Sequence, residues 1–165
     1  MNAADQLRTV SNPFLTTIVN QRTIAAAARE WQDAGLLVRT IRGIKARSVA
    51  GLFDEFSAAF QFPHYFGENW SAFQDCISDL EWLPFQNGVV VLICSADEAL
   101  VDAHPTELTT LVKSLATASA DFAVAVTDGE WWDRAPVPFH VVLQCTREDE
   151  FGCWIEAGAA LGSLM

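Results

Sequence analysis

A chain of 165 residues, 51% of them apolar and 19% charged, has enough material for one domain with a real core and is too apolar to be disordered. Its net charge of −11 argues against a phosphate-backbone binder, and no apolar run nears the ~20 residues of a bilayer span. The first residues, "MNAADQLRTVSNPF", lack a basic segment followed by an apolar one, so a cytoplasmic protein without a secretion signal is expected.

Residues 1–22 have no clear period and read as a loosely attached arm. Thr23 then caps a helix through "TIAAAAREWQDAG" that stops at Gly35, and "LLVRTIR" follows as a strand closed by Gly43. Ser48 caps the next helix, whose apolar residues Val49, Leu52, Phe53, Phe56 and Phe60 recur at helical spacing. A turn at "FPHYFG" leads to a helix from about Asn69 to Leu80. "NGVVVLIC" is a continuous apolar run, the pattern of a strand buried on both faces of a parallel sheet. "ADEALVDA" suggests a short helix, and "PTELTTLVKSLATA" a longer one with Leu108, Leu111, Val112 and Leu115 on one face. "FAVAVT" and "FHVVLQC" read as strands on either side of the turn-rich "DGEWWDRAPVP", where Trp131 and Trp132 are expected to pack under the loop, an extension of a binding interface being the alternative. The alternation predicts an α/β domain over residues 23–145: a small, mainly parallel sheet packed with helices, carrying an extra N-terminal helix. Residues 146–165 read as a C-terminal extension packed on or beside it.

Residues 48–112 hold ten acidic side chains and no Lys or Arg, whereas Arg39, Arg42, Lys45 and Arg47 collect just before them. Such a field repels nucleic acid and attracts cationic proteins, although a merely solubilising acidic surface has the same composition. The four cysteines (Cys76, Cys94, Cys145 and Cys153) form no CxxC pair, and reduced thiols are expected. His64, His104 and His140 are isolated from one another in sequence, so neither a metal nor a cofactor is expected. No phosphate-binding glycine loop and no GxSxG elbow occurs.

The strongest enzymatic option pairs Cys76 with His64 as its base. Cys76, however, falls beside Trp70, Phe73, Ile77 and Leu80, where a thiol is inert and its pKa raised. On a helix those four apolar residues form one stripe, and Ser71, Asp75, Ser78 and Asp79 fall opposite. Phe62 and Phe66 read as core, leaving Tyr65 and His64 to stand beside the carboxylates. A solvated face or a binding surface, rather than catalytic residues, is the expectation.

"FPHYFGENWSAFQDCISDLEWLP" closely resembles the signature of the barstar family, the protein inhibitors of barnase-type ribonucleases. The resemblance runs upstream through "VRTIRGIKARSVAGLFDEFSAAF" and downstream through "GVVVLICSADEAL" to "PFHVVL". It implies a barstar-like fold and an immunity protein, monomeric when free, whose second helix and preceding loop enter the active site of a basic, secreted or delivered ribonuclease. By that resemblance Asp75 takes the place of a substrate phosphate, Tyr65 packs on the catalytic groups, Gly67 and Asn69 shape the loop, and Glu107 adds a contact from the last long helix. The implied partner-binding set is His64, Tyr65, Glu68, Ser71, Gln74, Asp75, Ser78, Asp79 and Glu107. Ser71 stands where the family commonly has a second aspartate, and Gln74 where an aromatic is known, so the target is not fixed by the likeness. An acidic adaptor for another basic protein is the alternative.

Overall fold

The computed structural model describes residues 1–85 and 87–165. Five parallel strands form its sheet: β1 (Phe14–Ile18), β2 (Leu37–Arg42), β3 (Val89–Cys94), β4 (Phe139–Cys145) and β5 (Gly162–Ser163), in the order β2-β3-β4-β1-β5. Six helices connect and cover them: α1 (Ala3–Leu7), α2 (Gln21–Asp33), α3 (Val49–Phe60), α4 (Trp70–Asp79), α5 (Pro105–Phe122) and α6 (Gly152–Glu156). The mainly parallel α/β reading therefore holds, and every strand pairing described is parallel.

The two faces of the sheet follow from the pleat, which points successive side chains to opposite sides. Val89, Val91 and Ile93 of β3 join Phe53, Phe56, Phe60, Phe73 and Ile77 in a core beneath α3, α4 and α5. Val90 and Leu92 face the other way, against Leu7, Ile24, Ala28 and Trp31 from α1 and α2. Every residue of β3 and β4 is buried; β3 therefore reads as an unbroken apolar run, whereas β4 also buries His140 and Gln144.

Four expectations are corrected. Residues 1–22 are not an arm: β1 lies between β4 and β5, pairing Phe14 with Val141 through Ile18 with Cys145, and Leu7 is fully buried. The cap of α2 is Asn20, whose side chain accepts from Thr23 N at 2.9 Å, so Thr23 lies inside the helix. "FAVAVT" forms no strand; Phe122 ends α5, stacking on Phe139 (5.5 Å between ring centroids) and meeting Phe85 edge-on (5.3 Å), and beyond it only Val126 bridges to Arg134. A fourth concerns the loop that follows: Trp131 is 86% exposed and Trp132 48%, rather than packed beneath it. The tail contributes Trp154 to the core, fully buried and donating its indole N–H to Ala96 O at 2.9 Å.

Candidate partner-binding site

The turn before α4 is built by its own backbone chemistry. Asn69 caps α4, accepting from Ala72 N at 2.9 Å, and donates its amide to Gly67 O at 3.1 Å. Glu68 between them holds a left-handed conformation (φ 48°) that exposes its side chain. Phe62 is buried and Phe66 half-buried; they meet edge-to-face at 5.0 Å, anchoring the turn to Phe53 and Phe73. Tyr65, between these anchors, is 69% exposed and His64 beside it is exposed, their rings 6.0 Å apart.

Helix α4 splits as its spacing demands. Phe73, Cys76 and Ile77 are buried, whereas Ser71, Asp75 and Asp79 are exposed. Gln74 and Ser78 are half-buried at the seam with α5: the Gln74 amide donates to Ser78 Oγ at 2.8 Å and to Ser114 O at 3.2 Å. Glu107, in the first turn of α5, is half-buried and accepts the Trp70 indole N–H at 2.7 Å. The structure thus brings Tyr65, His64, Asp75 and Asp79 to one exposed surface with Glu68 and Ser71 at its edge, and it engages Gln74, Ser78 and Glu107 in holding α4 against α5.

Electrostatics sharpen the exposed part. The first turn of α4 has no acidic residue and its last turn no basic one, so Asp79 sits at the negative end of the helix dipole. Partial burial and the neighbouring Glu81 carboxylate both raise the Asp79 pKa above the usual carboxylate value. The Tyr65 phenol is raised too, by loss of hydration and by Cys76, Asp79 and Glu81, so it stays protonated at neutral pH. Glu81 was missed in the sequence because it lies just past the left-handed Leu80 that ends the helix.

Elsewhere the acidic segment finds its own cations. Arg42 forms a bidentate pair with Glu55 (2.6 Å at the closest), and Arg47 pairs with Asp102 (2.9 Å) and Glu98. Among the described residues no Lys or Arg pairs with Glu68, Asp75, Asp79 or Glu81. Cys76 is buried and its thiol pushed up by burial, then by Asp75 and Asp79, which keeps it in the inert protonated form. One group among the described residues has ligand atoms close enough for a metal ion: Asp97, Cys145 and Glu150, within 4.8 Å of one another. Its thiol is pushed up to about 12, chiefly by burial, and donates to Asp97 Oδ1 at 3.8 Å, while Glu150 Oε2 accepts from Thr146 N and Arg147 N. Those hydrogen bonds account for the cluster as loop structure.

The described residues form an α/β domain whose α4 presents acidic side chains that no Lys or Arg among them pairs with. The family model described as Barstar (barnase inhibitor) matches residues 36–144, and the chain belongs to the barstar family. No curated protein matches it in sequence. Among solved structures it is similar to Cdc6p from Pyrobaculum aerophilum, with a TM-score of 0.59 at 10% identity over 97% of this chain and 41% of that one. It is also similar to a structure of Drosophila ORC bound to AT-rich DNA and Cdc6, with a TM-score of 0.54 at 11% identity over 95% of this chain and 49% of that one. The chain spans less than half the length of either, and at such identity the likeness is one of fold alone. No helix described is long and apolar enough to cross a membrane.

Proposed function

We propose that the protein is a non-catalytic inhibitor of a basic, barnase-type ribonuclease, acting as an immunity protein in the cytoplasm of the cell that makes the nuclease. The turn at 62–69 and the outer face of α4 enter the nuclease active site in place of RNA phosphates. The observation that carries the reading is the row of unpaired carboxylates, Asp75 and Asp79 with Tyr65 beside them, on a helix whose other side is core. A carboxylate held by a preformed helix accepts charge-assisted hydrogen bonds from arginine with little further loss of entropy. Partial burial, and then the Glu81 carboxylate, disfavour the charge on Asp79, and a partner cation acts against both. His64, Glu68 and Ser71 edge this contact, and Glu107, Gln74 and Ser78 support it from the α5 seam.

The test is binding to a barnase-type ribonuclease by surface plasmon resonance. Asp75→Ala weakens it by about 2 kcal/mol or more, the threshold for dominant interface residues, a class in which barnase–barstar contacts are themselves counted. Association slows steeply as salt rises, because the steering field is screened. Wild-type affinity in the variant, or an association rate flat in salt, refutes the assignment of this surface.

A further inference from the structure

The loop between α5 and β4 lies outside the site above and has been given two indoles that it does not bury. Its ends are closed by Val126 and Arg134, whose backbones exchange hydrogen bonds of 2.9 and 3.0 Å. Inside it, the Asp133 carboxylate accepts from Asp128 N and Gly129 N, each at 2.8 Å, and Asp128 Oδ2 accepts the Trp132 indole N–H at 3.1 Å. Arg134 turns inward, 5.1 Å over the Phe122 ring, and donates to the carbonyls of Asp121, Phe122, Val124 and Ala135. The backbone is therefore fixed, and Trp131 and Trp132, edge-to-face at 5.5 Å, are held out in water. A fixed loop that leaves Trp131 86% and Trp132 48% exposed forgoes much of the stabilisation that burying these side chains would give.

We propose that the Trp131–Trp132 loop is a second docking element, and that it takes a protein surface bearing arginine and lysine. Charge complementarity selects that occupant. Asp121, Asp128, Glu130 and Asp133 are all exposed around the loop, and its one cation, Arg134, is committed to the interior. Indole faces attract guanidinium and ammonium groups, and carboxylates at the rim pair with the same cations. An acidic partner or a nucleic acid is repelled by that rim. Aromatic anchors on an already ordered loop have little rotamer freedom left to lose, the condition under which they dominate binding.

The choice of nuclease as a probe rests on the proposed function, so the experiment uses two probes: a barnase-type ribonuclease and an oligoarginine peptide. The variant Trp131→Ala/Trp132→Ala also loses the Trp132–Asp128 hydrogen bond, so Trp131→Ala, whose ring is 86% exposed, is measured beside it and keeps the wild-type unfolding midpoint. The double variant dissociates from the ribonuclease about tenfold faster or more. Glu130→Lys slows association. If wild type binds the ribonuclease, Asp75→Ala weakens it and the double variant matches wild type in both rates, the loop is not a docking element and the α4 reading stands. If wild type does not bind the ribonuclease, the α4 reading fails and the loop is judged on the peptide alone. Peptide binding that the double variant loses upholds the proposal; equal binding by both proteins, or none by either, overturns it.

Discussion

Substituting Glu107 separates the holding of α4 from contact with a partner. Glu107 Oε2 accepts the Trp70 indole N–H at 2.7 Å, joining the first turn of α5 to the first residue of α4. Both residues are half-buried. A hydrogen bond to a charged group contributes roughly 1.5–3 kcal/mol, and because water can reach an indole exposed in this way, the low end applies. Glu107→Ala is expected to cost about 1.5 kcal/mol, which for a domain of this size lowers the melting temperature by about 3–6 °C. Glu107→Gln keeps a side-chain oxygen as acceptor and removes only the charge, so it should retain most of that stability. Thermal melts followed by circular dichroism give the first readout and ribonuclease affinity the second. Should Glu107→Gln leave stability intact but reduce affinity as much as Asp75→Ala does, Glu107 is a direct contact and the positioning argument fails. Should Glu107→Ala melt with wild type, the indole bond contributes nothing.

Two further perturbations reach the sheet. His140 is fully buried with Nδ1 3.2 Å from Asn12 O and Nε2 2.9 Å from Thr9 O, and burial lowers its pKa more than the two carbonyls raise it. Its unfolded-state pKa, near 6.5, is the higher one, so its contribution to stability is complete above that pH and is lost as pH falls through the folded value. Urea unfolding from pH 7.5 downward should show a loss that His140→Gln lacks; equal slopes for the two proteins would refute the linkage. At Gly43 a Cβ would stand 2.1 Å from Ser95 O and 2.6 Å from Cys94 O, both backbone atoms of the β3 end, so Gly43→Ala should cost about 3 kcal/mol or more. A wild-type urea midpoint in that variant would mean that the two connections move apart freely.

What the sequence discloses depends on whether the deciding neighbours are local. Helix α3, the division of α4 and strand β3 are written in short-range periodicity, and Ser48 caps α3 where the spacing places it, accepting from Gly51 N at 3.1 Å. Strand β1 carries no such signal. "FLTTI" has two buried residues followed by threonines, and what makes it a strand is its pairing with β4, more than 120 positions away along the chain. "FAVAVT" errs in the opposite direction: its β-branched residues suit a strand, but Phe122 is more fully buried as the last residue of α5. Glu107 shows the same limit at the site. Its charge is visible in the sequence, while the Trp70 indole that claims it comes from another helix 37 residues earlier.

The placement of charge on α4 was legible for a physical reason that the structure strengthens. A helix designed only for stability carries acids in its first turn and bases in its last, and reversing that costs about 0.3–1 kcal/mol for an exposed group. Here the first turn has no acid, Asp79 closes the last, and Glu81 follows within reach. Arg42 and Arg47 pair instead with Glu55, Glu98 and Asp102. Local rules are broken where function asks for it. The free protein carries a small electrostatic cost at the end of α4 that the proposed cationic partner would remove, and the Trp131–Trp132 loop, exposed and with its own arginine turned inward, departs from the same rules in the same direction.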